Sequence, residues 1–253
     1  MSKDSFKDHF SGQSEEYSKY RPDYPAELFK FLSSITPSHN LAWDWATGSG
    51  QAAHGLVKYF RKVIATDASE QQIKNAAHHK NISYKVAPAH RTTIQTESID
   101  LITVAQALHW FELDQFYKEA ERVLKKNGII AVWTYNLLNI SPEIDRVVNY
   151  FYHDIVGEFW PPERKFVENG YENIAFPFHQ LPSPCFRMTA KWTLGQLIGY
   201  MSTWSAVKRY RNNKGNDPIE SIEKELTRLW DGRSTIMDVY WPLSVLIGKK
   251  TVT

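Results

Sequence analysis

Between residues 40 and 137 short apolar runs alternate with stretches whose apolar residues recur at helical spacing. The runs predict strands at Leu41–Trp45, Lys62–Thr66, Ser83–Ala87, Ile99–Ala105 and Gly128–Trp133. The stretches between them predict helices at Gln51–Phe60, Glu70–His78 and Leu113–Lys125, the last stopped by Lys126-Asn127-Gly128. Such alternation predicts a parallel sheet with crossover helices. Ahead of it, Phe6, Phe10, Tyr17 and Tyr20 share a helical face. Arg21-Pro22-Asp23-Tyr24-Pro25 then interrupts, and a second helix runs from Ala26 to Ser33 before Pro37. Beyond Asn139 the pattern predicts a helix from Pro142 toward Val156, broken by Trp160-Pro161-Pro162. An extended stretch from Phe176 to Thr193 follows, with Pro182 and Pro184 at a kink or edge. Helices at Leu194–Arg209 and Ile219–Trp230 flank an Asn-rich surface loop, 212–218, and a closing strand covers Val239–Gly248.

The most informative stretch is Trp43-Asp44-Trp45-Ala46-Thr47-Gly48-Ser49-Gly50-Gln51. An apolar run ends in an acid, a small-residue turn follows, and a helix begins. Small residues let backbone approach a ligand, and the N–H groups of the new helix point at it. A Gly-Ser-Gly turn is also a common plain loop. Val63-Ile64-Ala65-Thr66-Asp67 repeats the grammar. Asp67 lies about 20 residues on, where dinucleotide folds place a ribose-binding carboxylate. Asp67 also suits a helix cap, although Ser69 can serve that purpose while Asp67 serves the ligand.

The chain has 253 residues, enough for one sizeable core or a core with an appended subdomain. A net charge of +2 gives no nucleic-acid footprint. The single cysteine, Cys185, excludes an internal disulfide and a multi-cysteine metal site, and no metal is expected. The polar N-terminus and the absence of a long apolar run predict a cytoplasmic protein without a membrane partner. The aromatic content of 14% points to an aromatic-lined pocket or lid.

Several segments in this order carry a family resemblance: Tyr20-Arg21-Pro22-Asp23-Tyr24-Pro25, the glycine turn, Ala105-Gln106-Ala107-Leu108-His109-Trp110-Phe111, Trp160-Pro161-Pro162-Glu163-Arg164 and Thr203-Trp204-Ser205. Over nearly its whole length the chain resembles class I S-adenosylmethionine-dependent methyltransferases, in the small-molecule branch that includes trans-aconitate methyltransferase-like proteins. It departs from them at Ala46, where glycine is usual, at Thr47, where cysteine or glycine is, and at His90, where an acid is common.

The resemblance implies an α/β, Rossmann-like, doubly wound and mostly parallel sheet of seven strands. It implies one domain over 1–253: a helical lid (1–38), a cofactor core (39–137), an acceptor-side insertion with the sheet edge (138–240) and a closing strand (241–253). The cofactor would be S-adenosyl-L-methionine. Asp44, Ala46 and Gly48 would meet its amino-acid end, Asp67 its ribose, and Ala68, Ala89 and His90 its adenine, with Gln106 and Ala107 beside the sulfonium; Thr47 and Gln51 would bind the cofactor as well. Tyr20 and Arg21 belong to the lid. Arg21 is either a fork for the cofactor carboxylate or a structural arginine at the kink. His109 is the catalytic candidate, binding the acceptor or removing its proton; a helix-capping histidine is the plainer alternative. His109, Trp110, Trp160, Tyr200 and Trp204 would meet the acceptor, and each aromatic among them equally suits core packing. Arg209 and Arg211 are either attractors of a carboxylate acceptor or solvated charges.

Methyl transfer to a small acceptor is the leading reading, with a carboxylate acceptor as one form. A nucleotide-linked oxidoreductase would need a longer glycine motif and a phosphate contact. A catalytically silent cofactor-binding or partner-binding protein is the alternative from another class. Oligomeric state and acceptor identity are not written in these residues.

Overall fold

A computed structural model describes residues 20–88, 92–232 and 234–251. The N-terminal helical face (Phe6, Phe10, Tyr17) and the adenine-side residues Ala89 and His90 lie outside the described residues.

Five parallel strands form the core: β1 (Leu41–Trp45), β2 (Lys62–Asp67), β3 (Ile82–Val86), β4 (Ile99–Ala105) and β5 (Leu124–Tyr135). Long antiparallel β8 (Met237–Lys249) pairs with β5, and the order is β3-β2-β1-β4-β5-β8-β6. The expected seven strands become eight among the described residues. β6 (His179–Leu181) and β7 (Phe186–Trp192) share one edge position, pairing with successive halves of β8. Pro182 and Pro184 lie between them, where the missing N–H groups break the ladder into two short strands.

β1 and β4 are buried almost throughout, as central parallel strands covered on both faces must be. One apolar cluster packs the helix Ala26–Ile35, the helix Gln51–Leu56 and the C-terminal helices on one face. A second, built on Trp43, Trp45, Phe116 and Tyr171, covers the other. β5 starts four residues earlier than expected because the preceding helix ends at Val123. Asn127, at φ +61°, takes up the irregularity in the β4–β5 register.

One predicted helix is two. Leu194–Ser202 and Ser205–Lys214 are separated by Thr203 and extended Trp204, with no glycine or proline between them to signal a break. The Asn-rich segment is partly helical, ending at Gly215 in the left-handed region, and Arg211 is fastened to Asp217 at 2.6 Å. Short helical turns at Leu108–Trp110, Gly157–Phe159 and Arg164–Glu168 were not indicated by the pattern; the first and last carry site residues. No helix among the described residues is long and apolar enough to cross a membrane.

Candidate active site

The carboxyl ends of β1 and β2 carry the small-residue turn. Ala46, at φ +55°, adopts the left-handed conformation that glycine takes more readily; its methyl group costs about 1–2 kcal/mol there. Gly48 and Gly50 are left-handed too, for different reasons. A Cβ on Gly50 would stand 2.4 Å from Tyr84 Oη, whereas one on Gly48 would meet nothing within 4 Å. Gly50 is thus required by packing from behind, and Gly48 leaves a cradle clear at the strand ends. The Gly48 N–H donates to Asp67 Oδ2 (2.9 Å), and the Ser69 N–H to Asp67 Oδ1 (2.8 Å). Ser69 itself caps the next helix, its hydroxyl accepting from the Gln72 N–H. Gln51 begins the helix after the turn, and Ala68 is half-buried beside Asp67.

Asp44 lies near the carboxyl end of β1, facing inward. Its carboxylate is fully buried and accepts from the Thr103 hydroxyl (2.8 Å), the Thr47 hydroxyl (2.5 Å) and the Ala53 N–H (3.1 Å). It ties β1 to β4, to the turn and to the helix after the turn. Thr47 points inward with it, so neither side chain presents itself to a ligand. Burial raises Asp44 to about 6, against the pull of its three donors.

The second group of residues begins one strand away. β1 and β4 are neighbours, and Gln106 follows β4 in the left-handed region, as Ala46 follows β1. The Gln106 amide splices β4 to β5, donating to Tyr135 O (2.9 Å) and accepting from Tyr135 N (3.1 Å) and the Thr134 hydroxyl. Ala107 is buried behind it.

From Gln106 a cleft of about 860 Å³, partly open to solvent, is bounded by β4, β5 and the C-terminal segments. It gathers seven of the predicted residues: Arg21, Gln106, His109, Trp110, Trp160, Tyr200 and Trp204. Arg21 donates to Tyr135 Oη (2.5 Å) and lies over the Tyr200 ring at 5.3 Å. The Tyr20 ring is laid against Gly199, where a Cβ would stand 2.5 Å from it. The proposed lid residues therefore seat on the Leu194–Ser202 helix. Trp204 serves both roles considered for it, packing on Tyr152, Trp160 and Tyr200 while lining the cleft. Phe111 packs against Trp45 and Phe116 in the core.

His109 meets Tyr171 Oη at 2.9 Å through Nδ1. Burial, with the Arg164 charge adding to it, lowers His109 to about 3. A ring held there is neutral at physiological pH and a weak base.

The sequence reading missed Tyr135, Asn136, Arg164 and Lys208 as cleft residues. Arg164 and Lys208, with Arg21, make the lining cationic, and no aspartate or glutamate among the described residues lines it. The cation contributed by the Ser205–Lys214 helix is Lys208, instead of Arg209 or Arg211. Among the described residues no cluster of histidine, cysteine and acids could hold a metal.

The geometry has counterparts in known proteins. A methyltransferase-domain family model matches residues 43–132, which span the turn, Asp67 and β4. A Dictyostelium discoideum protein named as a methyltransferase is 34% identical over 252 residues, covering 97% of this chain and 96% of its own length. A solved structure from Anaeromyxobacter dehalogenans, described as a type II methyltransferase, is 39% identical, with a TM-score of 0.87 over 92% of this chain and 99% of that one. A Saccharomyces cerevisiae protein described as an S-adenosylmethionine-dependent methyltransferase is 29% identical over 143 residues, 52% of this chain and 47% of that protein. The clear cradle at Gly48 beside the Asp67 carboxylate, at the end of a parallel strand pair, suits a nucleoside-bearing donor. With that fit and nearly full-length relatives on both counts, the chain belongs to the class I S-adenosylmethionine-dependent methyltransferases.

Proposed function

We propose that the chain methylates an oxygen of a small anionic acceptor, a carboxylate being the simplest form. One observation carries this reading: among the described residues, the cleft that opens beside the donor side is walled by aromatic rings, lined by three cations and free of lining carboxylates. Such a lining favours an anion and repels a cationic amine.

The roles follow from placement. Backbone at Ala46, Gly48 and Gln51 flanks the cradle for the donor, and Asp67 takes its ribose hydroxyls on lone pairs not used by Gly48 and Ser69. Ala68, with Ala89 and His90, belongs to the adenine side. Asp44 and Thr47 support the turn from beneath. When bound, S-adenosylmethionine supplies a methyl group already activated by its sulfonium. The chain holds the acceptor oxygen in line with that carbon and keeps water out, tasks that fall to Gln106, Tyr135, Trp160, Tyr200 and Trp204. Positioning of this kind is worth up to roughly 7–11 kcal/mol. A carboxylate is ionised at neutral pH and needs no base. Neutral His109 then orients the acceptor. Residues 1–38 act as the lid and 138–240 as the acceptor roof around the 39–137 core, with 241–253 closing the sheet.

A methyl-release assay over small acids, phenols and amines tests the proposal. Turnover confined to acids is expected; turnover with amines or neutral phenols alone would overturn it. The alternative, a silent donor-binding protein, predicts heat on titration with S-adenosylhomocysteine and no turnover with any acceptor.

A further inference from the structure

Arg164 is the most constrained cation of the cleft. It opens the short helix Arg164–Glu168, directly after the Trp160-Pro161-Pro162 corner. Its guanidinium lies over the Trp160 ring at 4.7 Å and the Tyr152 ring at 5.3 Å. Nε donates to Tyr152 Oη (2.5 Å) and Nη2 to Asn136 Oδ1 (2.7 Å). Tyr152 passes its own proton to Glu168 at 2.8 Å, so the nearest balancing carboxylate acts through an intervening phenol. Among the described residues no carboxylate pairs with Arg164 directly. Every fixed contact is to a neutral oxygen or a ring face, and the guanidinium borders the cleft.

This arrangement is what an anion receptor needs. The stacked rings and two anchors hold the planar fork in one orientation before the ligand arrives, which reduces the entropy lost on binding. A partly desolvated guanidinium held by neutral acceptors has its strongest remaining interaction with an oxyanion. An oxygen gripped by such a fork has its lone pairs engaged and its charge neutralised, so it attacks carbon poorly. We infer that Arg164 is the specificity residue of the acceptor side, binding an oxyanion of the acceptor other than the oxygen that receives the methyl group. This rests on the methyl-transfer reading for the identity of the cleft, while the anion contact itself can be measured without the donor. His109 fits the same picture: the charge that helps to keep its ring neutral is the one an acceptor anion would balance.

The test is calorimetric titration of the full chain, with and without S-adenosylhomocysteine. The probes are aliphatic dicarboxylic acids of four to six carbons, their monomethyl esters and their diamides. Acids and monoesters are expected to bind the wild type, and diamides to bind at least tenfold more weakly. Arg164→Gln and Arg164→Lys should each weaken acid binding roughly 10- to 100-fold, with S-adenosylhomocysteine affinity and melting temperature held. Acid binding equal in wild type and both variants, diamides binding as well as acids, or no acid binding at all would overturn the assignment. If Arg164→Gln does not fold, Arg164→Lys decides, because it keeps the charge and loses the planar fork. Absent heat with S-adenosylhomocysteine counts against the donor reading instead, since the acid titrations without it still report on Arg164.

Discussion

The two sides of the site are built from different material. The proposed donor side is made mostly of backbone: left-handed Ala46 and Gly48, helix-starting N–H groups and one carboxylate, Asp67, at the end of β2. The acceptor side is made of side chains brought from five distant segments, around residues 21, 109, 136, 160–164 and 200–208. Backbone chemistry is common to every substrate of a donor-dependent enzyme, so it resides in a local motif. Side-chain chemistry distinguishes acceptors, and it sits on segments that can change without disturbing the sheet.

The comparison can be broken at the turn first. Gly50→Ala faces both a left-handed backbone and the Tyr84 hydroxyl, and should destabilise the fold by about 2–5 kcal/mol, read as a lowered melting temperature. Gly48→Ala faces only the backbone strain, about 1–2 kcal/mol, yet it fills the cradle and should abolish donor binding. Equal effects of the two on stability would mean the glycines do not divide the work.

Asp44 sharpens the same point. Its folded value of about 6 lies above the value of an unfolded aspartate, so the folded state holds a proton that the unfolded state has released. Its contribution is fully present below about pH 4 and is lost as pH rises through about 6. The total is on the order of 3 kcal/mol. Chemical denaturation between pH 4 and 7 should show this slope in the wild type, and Asp44→Asn should flatten it.

On the ligand-facing carboxylate the expectation differs. Asp67→Ala should weaken S-adenosylhomocysteine binding by about 1.5–3 kcal/mol in calorimetry, while leaving acid binding in the cleft intact. If acid binding falls in step, the two sides are not separable. The smallest effect is expected at His109. His109→Gln should lower turnover by about tenfold or less, and the wild-type rate should show no inflection between pH 5 and 8. An inflection near 6.5 would restore the histidine as a base.

The same division explains what the sequence revealed. β1 and β4 were legible to the residue, because central parallel strands are continuous apolar runs bounded by turn residues. Ser69 as a cap was legible for the same local reason. Tyr84 was not, because nothing about a tyrosine in β3 says that it stands behind Gly50. Arg164 was visible in a motif, but its partner Asn136 lies 28 residues away and its rings come from a turn and a corner. The split at Thr203-Trp204 carries no helix breaker. Side-chain packing of Trp204 among four aromatic neighbours accompanies it. The protonation states of Asp44 and His109 depend on burial, which only the assembled fold sets.

Tyr20 lying flat on Gly199 has a kinetic consequence. The segment that would cover the donor leans on the same helix that roofs the cleft, through a contact only a side chain of hydrogen permits. On the proposed roles of lid and roof, displacing that helix to release a methylated product would take away the support beneath Tyr20 and link departure of product to exchange of spent donor. Adding a single methyl group at position 199 would uncouple them, changing residence times without touching either ligand.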